Sequence, residues 1–174
     1  MSLDYLNLPG AFMHHEEREL IKNLSAEVAS IFNPCNVVHI GVAWGASCYC
    51  SRAGAPNAII YGVDTIGDRD LKGSDEDKKE LNLHPLVGDS RVIHKDFHEV
   101  IHFLYVDGDH ARDTVLSDII NWGGKVAKGG YIAFHDCAEC GWAPGVNAAI
   151  AEGILSAKWQ DLGIAAWSRY FRRI

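Results

Sequence analysis

Side chains that can bind ligands or move protons follow directly after the apolar runs of this sequence. The runs are rich in β-branched and aromatic residues, which is typical of buried strands. Ligands bind beyond the carboxyl ends of strands in open parallel sheets, so we expect one site at that edge. Five segments would form it: residues 41–47, Asp64, residues 88–90, residues 107–110 and residues 135–136. These segments are rich in glycine and carboxylates and contain no lysine or arginine.

The glycine loop after the first run narrows the class of ligand. It reads Gly41-x-x-x-Gly45, with Ala43, Trp44 and Ser47 around these glycines. It is neither the Gly-x-x-x-x-Gly-Lys-Ser/Thr loop of phosphate sites nor the Gly-x-Gly-x-x-Gly loop of dinucleotide enzymes. Together with the lack of cations, this spacing disfavours a triphosphate or pyrophosphate ligand. Taken alone, the spacing fits either a ligand loop or a simple strand-to-helix turn.

Asp64 ends the second run, 19 residues after Gly45 (64 − 45 = 19). A carboxylate at this place can accept hydrogen bonds from both hydroxyls of a ribose. The alternative is an aspartate that forms a turn before Thr65. In combination with the glycine loop, Asp64 favours a ligand that contains ribose.

Alternating strand-like and helix-like patterns predict an α/β fold that positions these segments. We expect a doubly wound, mostly parallel seven-stranded sheet with helices on both faces and a C-terminal antiparallel hairpin. The predicted helices cover residues 16–32, 47–53, 75–81, 90–97, 113–127 and 144–155. The predicted strands cover residues 37–42, 58–63, 84–88, 101–106, 131–134, 158–162 and 164–171. The last two strands would form the hairpin about Gly163.

Length, composition and charge limit the classes of protein to which this chain can belong. With 174 residues, 48% of them apolar and 22% charged, we expect residues 1–174 to form a single globular domain, with residues 1–15 as an N-terminal extension. No apolar run approaches the roughly 20 residues of a membrane helix, and the N-terminus lacks the features of a secretory signal. A formal net charge of −7 disfavours nucleic acid as a partner. Five cysteines, an odd number, favour free thiols and a cytoplasmic location.

Several further patterns have ordinary structural explanations. Cys137-x-x-Cys140 could bind zinc, but a single such pair favours free thiols. His94, His98 and His102 are spaced four apart, yet His102 falls in a predicted strand, so a surface cluster is favoured over a metal site. We expect Trp122, Trp159 and Trp167 to pack in the core or the hairpin. Trp44 and Trp142 lie in loops around the expected site and could flank a cofactor or substrate.

The strand ends and their loops resemble those of class I S-adenosylmethionine-dependent methyltransferases. The similar segments are residues 38–47 (VHIGVAWGAS), 61–65 (YGVDT), 87–90 (VGDS), 104–110 (LYVDGDH) and 129–136 (GGYIAFHD). The Asp-Gly-Asp-His and Phe-His-Asp blocks resemble, more narrowly, the branch that contains macrolide-sugar O-methyltransferases and cephalosporin hydroxylase/rhamnosyl O-methyltransferase-like proteins. The resemblance covers residues 16–145 and implies a Rossmann-like fold.

The resemblance implies a role for each segment of the site. The residues implied to bind S-adenosylmethionine are Gly41, Ala43, Trp44, Gly45, Ser47, Asp64, Asp89, Ser90 and Asp107. The glycine loop would lie under the methionine part, Asp64 would hold the ribose, and Asp89 and Ser90 would lie near the adenine. His110 would be the general base, and Asp107 would act with it near the methionine end.

The resemblance also implies a divalent metal, magnesium or manganese. In some relatives magnesium is held by the acid after the fourth strand and by two acids after the fifth, and these positions are Asp107, His135 and Asp136 here. His135 replaces an acid, and imidazole suits manganese, iron or zinc better than magnesium. A structural hydrogen-bond network is the alternative for these three residues. His39 stands where many relatives carry an acid near the cofactor, and the sequence leaves open whether this change affects cofactor affinity.

These implications predict methyl transfer from S-adenosylmethionine to the hydroxyl of a small molecule, with a sugar as one candidate acceptor. A protein that binds S-adenosylmethionine or its product without catalysis is the alternative. The glycine spacing disfavours a nicotinamide-dependent oxidoreductase. Neither a nucleic acid nor a membrane partner is expected, and the sequence leaves a homo-oligomer open.

Overall fold

The sheet is mixed, with seven strands in the spatial order β3-β2-β1-β4-β5-β7-β6. The computed structural model describes residue 4 and residues 13–66, 71–137, 143–155 and 157–174. The strands are β1 (Asn36–Ile40), β2 (Ile59–Asp64), β3 (Leu83–Val87), β4 (Ile101–Val106), β5 (Val126–Phe134), β6 (Trp159–Ala165) and β7 (Ser168–Arg173). The first five strands pair in parallel, and β7 pairs antiparallel with both β5 and β6. The predicted doubly wound α/β fold with a C-terminal antiparallel hairpin is therefore confirmed.

Helices cover both faces of this sheet. They are α1 (His15–Ile31), α2 (Ala46–Gly54), α3 (Asp75–Leu81), α4 (Ser90–Ile93), α5 (Arg112–Asn121) and α6 (Pro144–Gly153). Successive side chains of the fully buried strand β4 point to opposite faces. Phe103 and Tyr105 pack with α1 and α2, whereas Leu104 and Val106 pack with α5 and α6. The described residues include no helix long and apolar enough to cross a membrane.

The predicted helix over residues 113–127 is wrong at its C-terminal end. Helix α5 stops at Asn121, a 3₁₀ turn covers Gly123–Lys125, and strand β5 begins at Val126. The two adjacent glycines of that turn lower helix propensity, and Val126 is buried by pairing with Ile101 of β4. A glycine pair further on, expected to end the helix, instead lies inside β5 where its register with β4 shifts.

The C-terminal hairpin does not turn at Gly163 as predicted. Gly163 lies inside β6 at a shift in register, with φ +104°, and the chain turns at Ala166 and Trp167. A glycine within a strand pattern can mark a bulge as well as a turn, and here the bulge is realised. As a result, the turn carries Trp167 toward the edge where the predicted site residues lie.

Several other boundaries differ from the prediction by a few residues, and two of them have a clear cause. Strand β1 ends at Ile40 because Gly41 takes φ +83°, a conformation that interrupts a strand. The short helix predicted over residues 90–97 covers only Ser90–Ile93. Phe97 lies beyond it and packs against Trp122 instead of extending the helix.

Candidate active site

The carboxyl ends of the parallel strands lie at one edge of the sheet, as the sequence predicts. Two cavities open there, of about 370 Å³ and about 480 Å³. Gly41, Ala43 and Asp107 line both cavities, so the two spaces adjoin. We call them the first cavity, which extends toward Asp64 and Ser90, and the second cavity, which extends toward His110 and His135.

The glycine loop forms the boundary between the two cavities. Gly41 approaches the backbone after β4 so closely that an added Cβ would lie 2.0 Å from the carbonyl oxygen of Asp107. Gly45 has φ +88° and directly precedes α2, where an added Cβ would lie 2.5 Å from the Leu71 side chain. Both glycines are therefore required by local geometry.

Asp64 fixes the shape of this loop. Its Oδ2 accepts hydrogen bonds from the backbone N–H groups of Val42 at 2.9 Å and Ala43 at 3.2 Å. Its Oδ1 accepts from the N–H of Ile66 at 3.1 Å, so the turn considered as the alternative does form. Burial alone would raise the pKa of Asp64, but these backbone hydrogen bonds lower it below its ordinary value. Asp64 also lines the first cavity, and its turn role and a ligand role are compatible.

The far wall of the first cavity contains the predicted adenine residues. Asp89 caps α4 and pairs with Arg91, which lowers the pKa of Asp89 to about 2. Ser90 is buried and lines the cavity, with Asp118 behind it. Burial raises the pKa of Asp118 to about 6 despite a hydrogen bond with Ser90, and its Oδ1 has no hydrogen-bond partner among the described residues.

Aromatic and charged side chains line the second cavity. Besides the glycine loop its walls include Met13, Trp44, Ser47, His110, His135, Asp136 and Trp167. The hairpin turns three residues later than predicted, and its turn brings to this cavity Trp167, which was expected to pack in the core or the hairpin. The ring of His14 lies edge-on against it, with 4.5 Å between centroids. Trp142 and Cys140 lie outside the described residues.

The floor of the second cavity is a cluster of acids and imidazoles. His110 Nε2 lies 2.8 Å from Asp136 Oδ2. His135 Nδ1 lies 3.0 Å from the same oxygen and 3.2 Å from Asp107 Oδ1. His135 Nε2 faces the opposite way, 3.4 Å from Oε1 of the buried Glu17.

These contacts shift the pKa values of the cluster in opposite directions. Burial alone would lower the pKa of His135, but hydrogen bonds with Asp107, Asp136 and Glu17 raise it well above its ordinary value. Burial also raises the pKa of Asp107, and His135 only partly offsets this effect. For Asp136, the two histidines outweigh burial and lower its pKa. The cluster therefore favours a positive charge on His135.

The cluster also has the donor set of a cation site. Asp107, His110 and Asp136 each offer a ligand atom, and these atoms all lie within 4.8 Å of one another. The predicted ligand His135 is in the same place, through Nδ1. The structure thus brings together the three predicted ligands and adds His110, which the sequence had assigned only to proton transfer. Two carboxylates with imidazole nitrogen fit manganese, iron or zinc at least as well as magnesium.

Other predicted features lie away from the site. His39 was expected near the cofactor, but strand alternation turns its ring to the α1 and α2 face, where Nε2 lies 2.9 Å from Ser51 Oγ. Burial lowers the pKa of His39 to about 3. His102 lies in β4, where its Nδ1 accepts a hydrogen bond from the Asn36 N–H. As expected, it therefore does not share a helix face with His94 and His98. Cys137 is a buried free thiol.

Sequence reasoning missed three contributors to the second cavity or its floor: Met13, Glu17 and Trp167. None of them lies in a segment that follows a parallel strand. The Glu17 signal was present but ambiguous, since an acid in the first helical turn is common.

Comparisons with known proteins agree with this geometry. A family model described as "Methyltransferase domain" matches residues 38–137, more than half of the chain. The uncharacterized protein R132 of Acanthamoeba polyphaga mimivirus is 40% identical over 50 residues, which span 29% of this chain and 23% of that relative.

Solved structures are similar over nearly the whole chain. The apo structure of CalS11, a TDP-rhamnose 3'-O-methyltransferase of calicheamicin biosynthesis, has a TM-score of 0.67 at 18% identity and covers 97% of this chain and 89% of that one. The MycE methyltransferase of the mycinamycin pathway, in complex with Mg, SAH and mycinamycin VI, has a TM-score of 0.65 at 15% identity. That match covers 97% of this chain and 51% of that one, and at such identities the likeness establishes the fold.

Proposed function

We propose an activity for this chain from one premise: the chain belongs to the methyltransferase domain family. It transfers the methyl group of S-adenosylmethionine to a hydroxyl oxygen of a small molecule. The observation that carries this proposal is the pair of adjoining cavities that share Gly41, Ala43 and Asp107. One cavity suits a nucleoside, the other contains groups that can bind and deprotonate a hydroxyl, and the reacting methyl would lie between them.

The first cavity would hold the donor. Asp64 keeps lone pairs beyond its backbone contacts and would accept hydrogen bonds from the ribose hydroxyls. Ser90 and Asp89 would contact the adenine from the far wall. Among the described residues, the lining of the first cavity contains no lysine, which suits a ligand without phosphates, and Arg91 is already paired with Asp89.

His110 would remove the proton of the acceptor. Asp136 holds Nε2 of its ring at 2.8 Å, which orients the imidazole in the second cavity. The hydroxyl proton passes to this ring while the oxygen forms a bond to the methyl carbon. The carbon–sulfur bond breaks in the same step, and its electron pair returns to sulfur, leaving S-adenosylhomocysteine. Alignment of donor and acceptor supplies most of the rate, and the base adds to it.

We further propose a divalent cation at the floor of the second cavity. Asp107 and Asp136 would hold it, together with an imidazole nitrogen of His110 or His135. Such a cation would lower the pKa of the acceptor hydroxyl and orient it. The likeness to a methyltransferase solved in complex with Mg supports the presence of a cation, and the imidazole nitrogens favour manganese. Excess chelator should then abolish turnover and manganese should restore it, whereas full turnover in chelator would exclude the cation.

The lining of the second cavity favours an uncharged acceptor. In the part of the chain that the structure describes, its ionisable lining residues are Asp107, His110, His135 and Asp136, so an anionic acceptor would meet the carboxylates. Trp44 and Trp167 offer aromatic faces for a ring. A sugar hydroxyl remains the first candidate, and the likeness to a rhamnose O-methyltransferase supports it.

The proposal also covers the domain organisation and the location of the protein. We propose residues 1–174 as a single domain and the cytoplasm as its location. The buried free thiols of Cys35, Cys48, Cys50 and Cys137 support that compartment. Met13, which precedes α1, lines the second cavity and would belong to the active unit.

Formation of S-adenosylhomocysteine tests the proposed function. The protein would be incubated with S-adenosylmethionine, manganese or magnesium, and a panel of sugar and aromatic hydroxyl acceptors. We expect acceptor-dependent product, and S-adenosylhomocysteine should raise the melting temperature because it binds only the folded state. Binding without turnover on any acceptor would favour the non-catalytic alternative. No binding at millimolar ligand by folded protein would contradict the proposal.

A further inference from the structure

Glu17 is a buried acid that the proposed reaction does not use. Its side chain is 0% exposed, although it lies in the first turn of α1. It is not part of the wall of either cavity. A buried carboxylate is costly unless it is paired and hydrogen-bonded, so its contacts define what it does.

The contacts of Glu17 come from three separate parts of the chain. Ser168 Oγ–H, at the start of β7, donates to Oε1 at 2.7 Å. The backbone N–H of His14 donates to Oε2 at 2.9 Å, which caps α1. His135 Nε2 lies 3.4 Å from Oε1.

These contacts place the His135 ring between carboxylates on two sides. Both oxygens of Glu17 are held, since Oε2 accepts from the His14 N–H and Oε1 accepts from Ser168 Oγ–H. The same Oε1 lies 3.4 Å from Nε2 of His135, so Glu17 stands at the Nε2 side of the ring. Nδ1, at the other side, lies 3.2 Å from Asp107 Oδ1 and 3.0 Å from Asp136 Oδ2.

We propose that Glu17 is the positioning residue of the active site: its carboxylate lies against Nε2 of His135 and so aims Nδ1 at the carboxylates of Asp107 and Asp136. A carboxylate behind a histidine fixes the orientation of the ring in the same way at many metal and proton-transfer sites. Asp136 in turn orients His110. The effect on turnover rests on the proposed function, whereas the orientation of His135 does not.

Helix capping alone does not account for Glu17. A capping side chain at this position needs to reach only the N–H of His14, and an exposed carboxylate could do so. The second oxygen instead reaches inward to Ser168 and His135. Ser168 follows Trp167, so the same carboxylate also ties the aromatic wall of the second cavity to α1.

Glu17→Gln and Glu16→Gln form a matched pair for the test. Both remove one negative charge from the first turn of α1, but Glu16 is exposed. The imidazole N–H signal of His135 would be followed by ¹⁵N NMR in the S-adenosylhomocysteine complex without metal, and kcat, KM and donor affinity would be measured with the acceptor that turns over. We expect Glu17→Gln to shift or lose the His135 signal and to lower kcat about 10–100-fold. Donor affinity and acceptor KM should change by less than about threefold, since Glu17 lines neither cavity.

Glu16→Gln should match the wild type in every measurement. If Glu17→Gln does not fold, Ser168→Ala removes one donor to Glu17 and should shift the same His135 signal with a few-fold loss of kcat. A folded Glu17→Gln protein with an unchanged His135 signal and unchanged kcat, but a lower melting temperature, would make Glu17 a helix cap only. If the wild type turns over no acceptor, the proposed function fails while the NMR signal still decides the role of Glu17.

Discussion

The two cavities are built in different ways, although they share one wall. The first cavity owes its shape mainly to backbone: Gly41 takes a positive φ, and two loop N–H groups are held by Asp64. The second cavity owes its chemistry to buried side chains that converge from α1, β4, β5 and the β6–β7 turn. Donor binding therefore depends on local turns, and acceptor chemistry depends on contacts between distant parts of the chain.

Buried acids mark the same contrast. Near the first cavity, Asp118 is 1% exposed, and its negative charge is not offset by an imidazole. Burial therefore raises its pKa to about 6. In the second cavity His135 lies between carboxylates and carries the compensating charge. The buried acid near the first cavity lowers the stability of the fold, whereas the paired charges of the second cavity are available for binding and proton transfer.

The largest effect should come from the shared wall. Gly41→Ala would place a Cβ 2.0 Å from the carbonyl oxygen of Asp107 and add strain at φ +83°. We expect a loss of more than about 4 kcal/mol in the free energy of unfolding, or no folded protein, together with loss of donor binding. Urea unfolding and calorimetry would measure both. Gly124→Ala, where an added Cβ meets nothing within 4 Å, is the control. A stable Gly41→Ala protein with wild-type binding would contradict the close approach.

Replacement of the base should affect the second cavity alone. His110→Ala should lower turnover roughly 10²–10⁴-fold, the usual contribution of general base catalysis. The affinity for S-adenosylhomocysteine should change little, because His110 lines only the second cavity. Steady-state kinetics and titration calorimetry separate the two effects, with the exposed His98→Ala as control. Near-normal turnover of His110→Ala would mean that the proton leaves by another route.

The same contrast explains what the sequence could predict. The glycine loop, Asp64, Asp107, His110 and Asp136 follow strands with clear apolar patterns, so their common edge follows from the rule for parallel sheets. Strand β4, a continuous apolar run, was placed to the residue. Local sequence patterns are therefore sufficient to predict a site residue wherever it lies in the turn that directly follows a strand.

Contacts between elements that are distant in the sequence could not be predicted from these local patterns. Glu17 contacts His135 below the second cavity only because α1 packs against the sheet. Trp167 lines that cavity only because the hairpin turns at Ala166 instead of Gly163. A glycine fits either a turn or a bulge, and neighbouring glycines fit either a helix end or a strand, so these boundaries depend on tertiary pairing. The neutral environment of His39 likewise depends on the face to which β1 turns it.

A smaller effect is expected at the ribose position. Asp64→Ala should weaken binding of S-adenosylhomocysteine by roughly 1–3 kcal/mol, the scale of lost hydrogen bonds to a charged group. Titration calorimetry measures the loss, and Asp96→Ala, an exposed acid outside both cavities, provides the charge-matched control. Equal binding by wild type and Asp64→Ala would leave Asp64 with only its role in the turn.

The smallest effect is expected on replacement of Asp118, the buried acid whose charge is not offset by an imidazole. The folded pKa of Asp118, about 6, lies above the ordinary value of 3.8. Between these values the unfolded chain loses a proton that the folded chain keeps, so stability falls as pH rises from about 4 to 6 and then levels off. Asp118→Asn removes this titration and should be more stable than the wild type by about 1–2 kcal/mol at pH 7, with no such gain at pH 3.5. Urea unfolding across this range measures the difference, and the exposed Asp113→Asn is the control. A pH-independent difference would mean that Asp118 ionises normally and that its burial has no electrostatic cost.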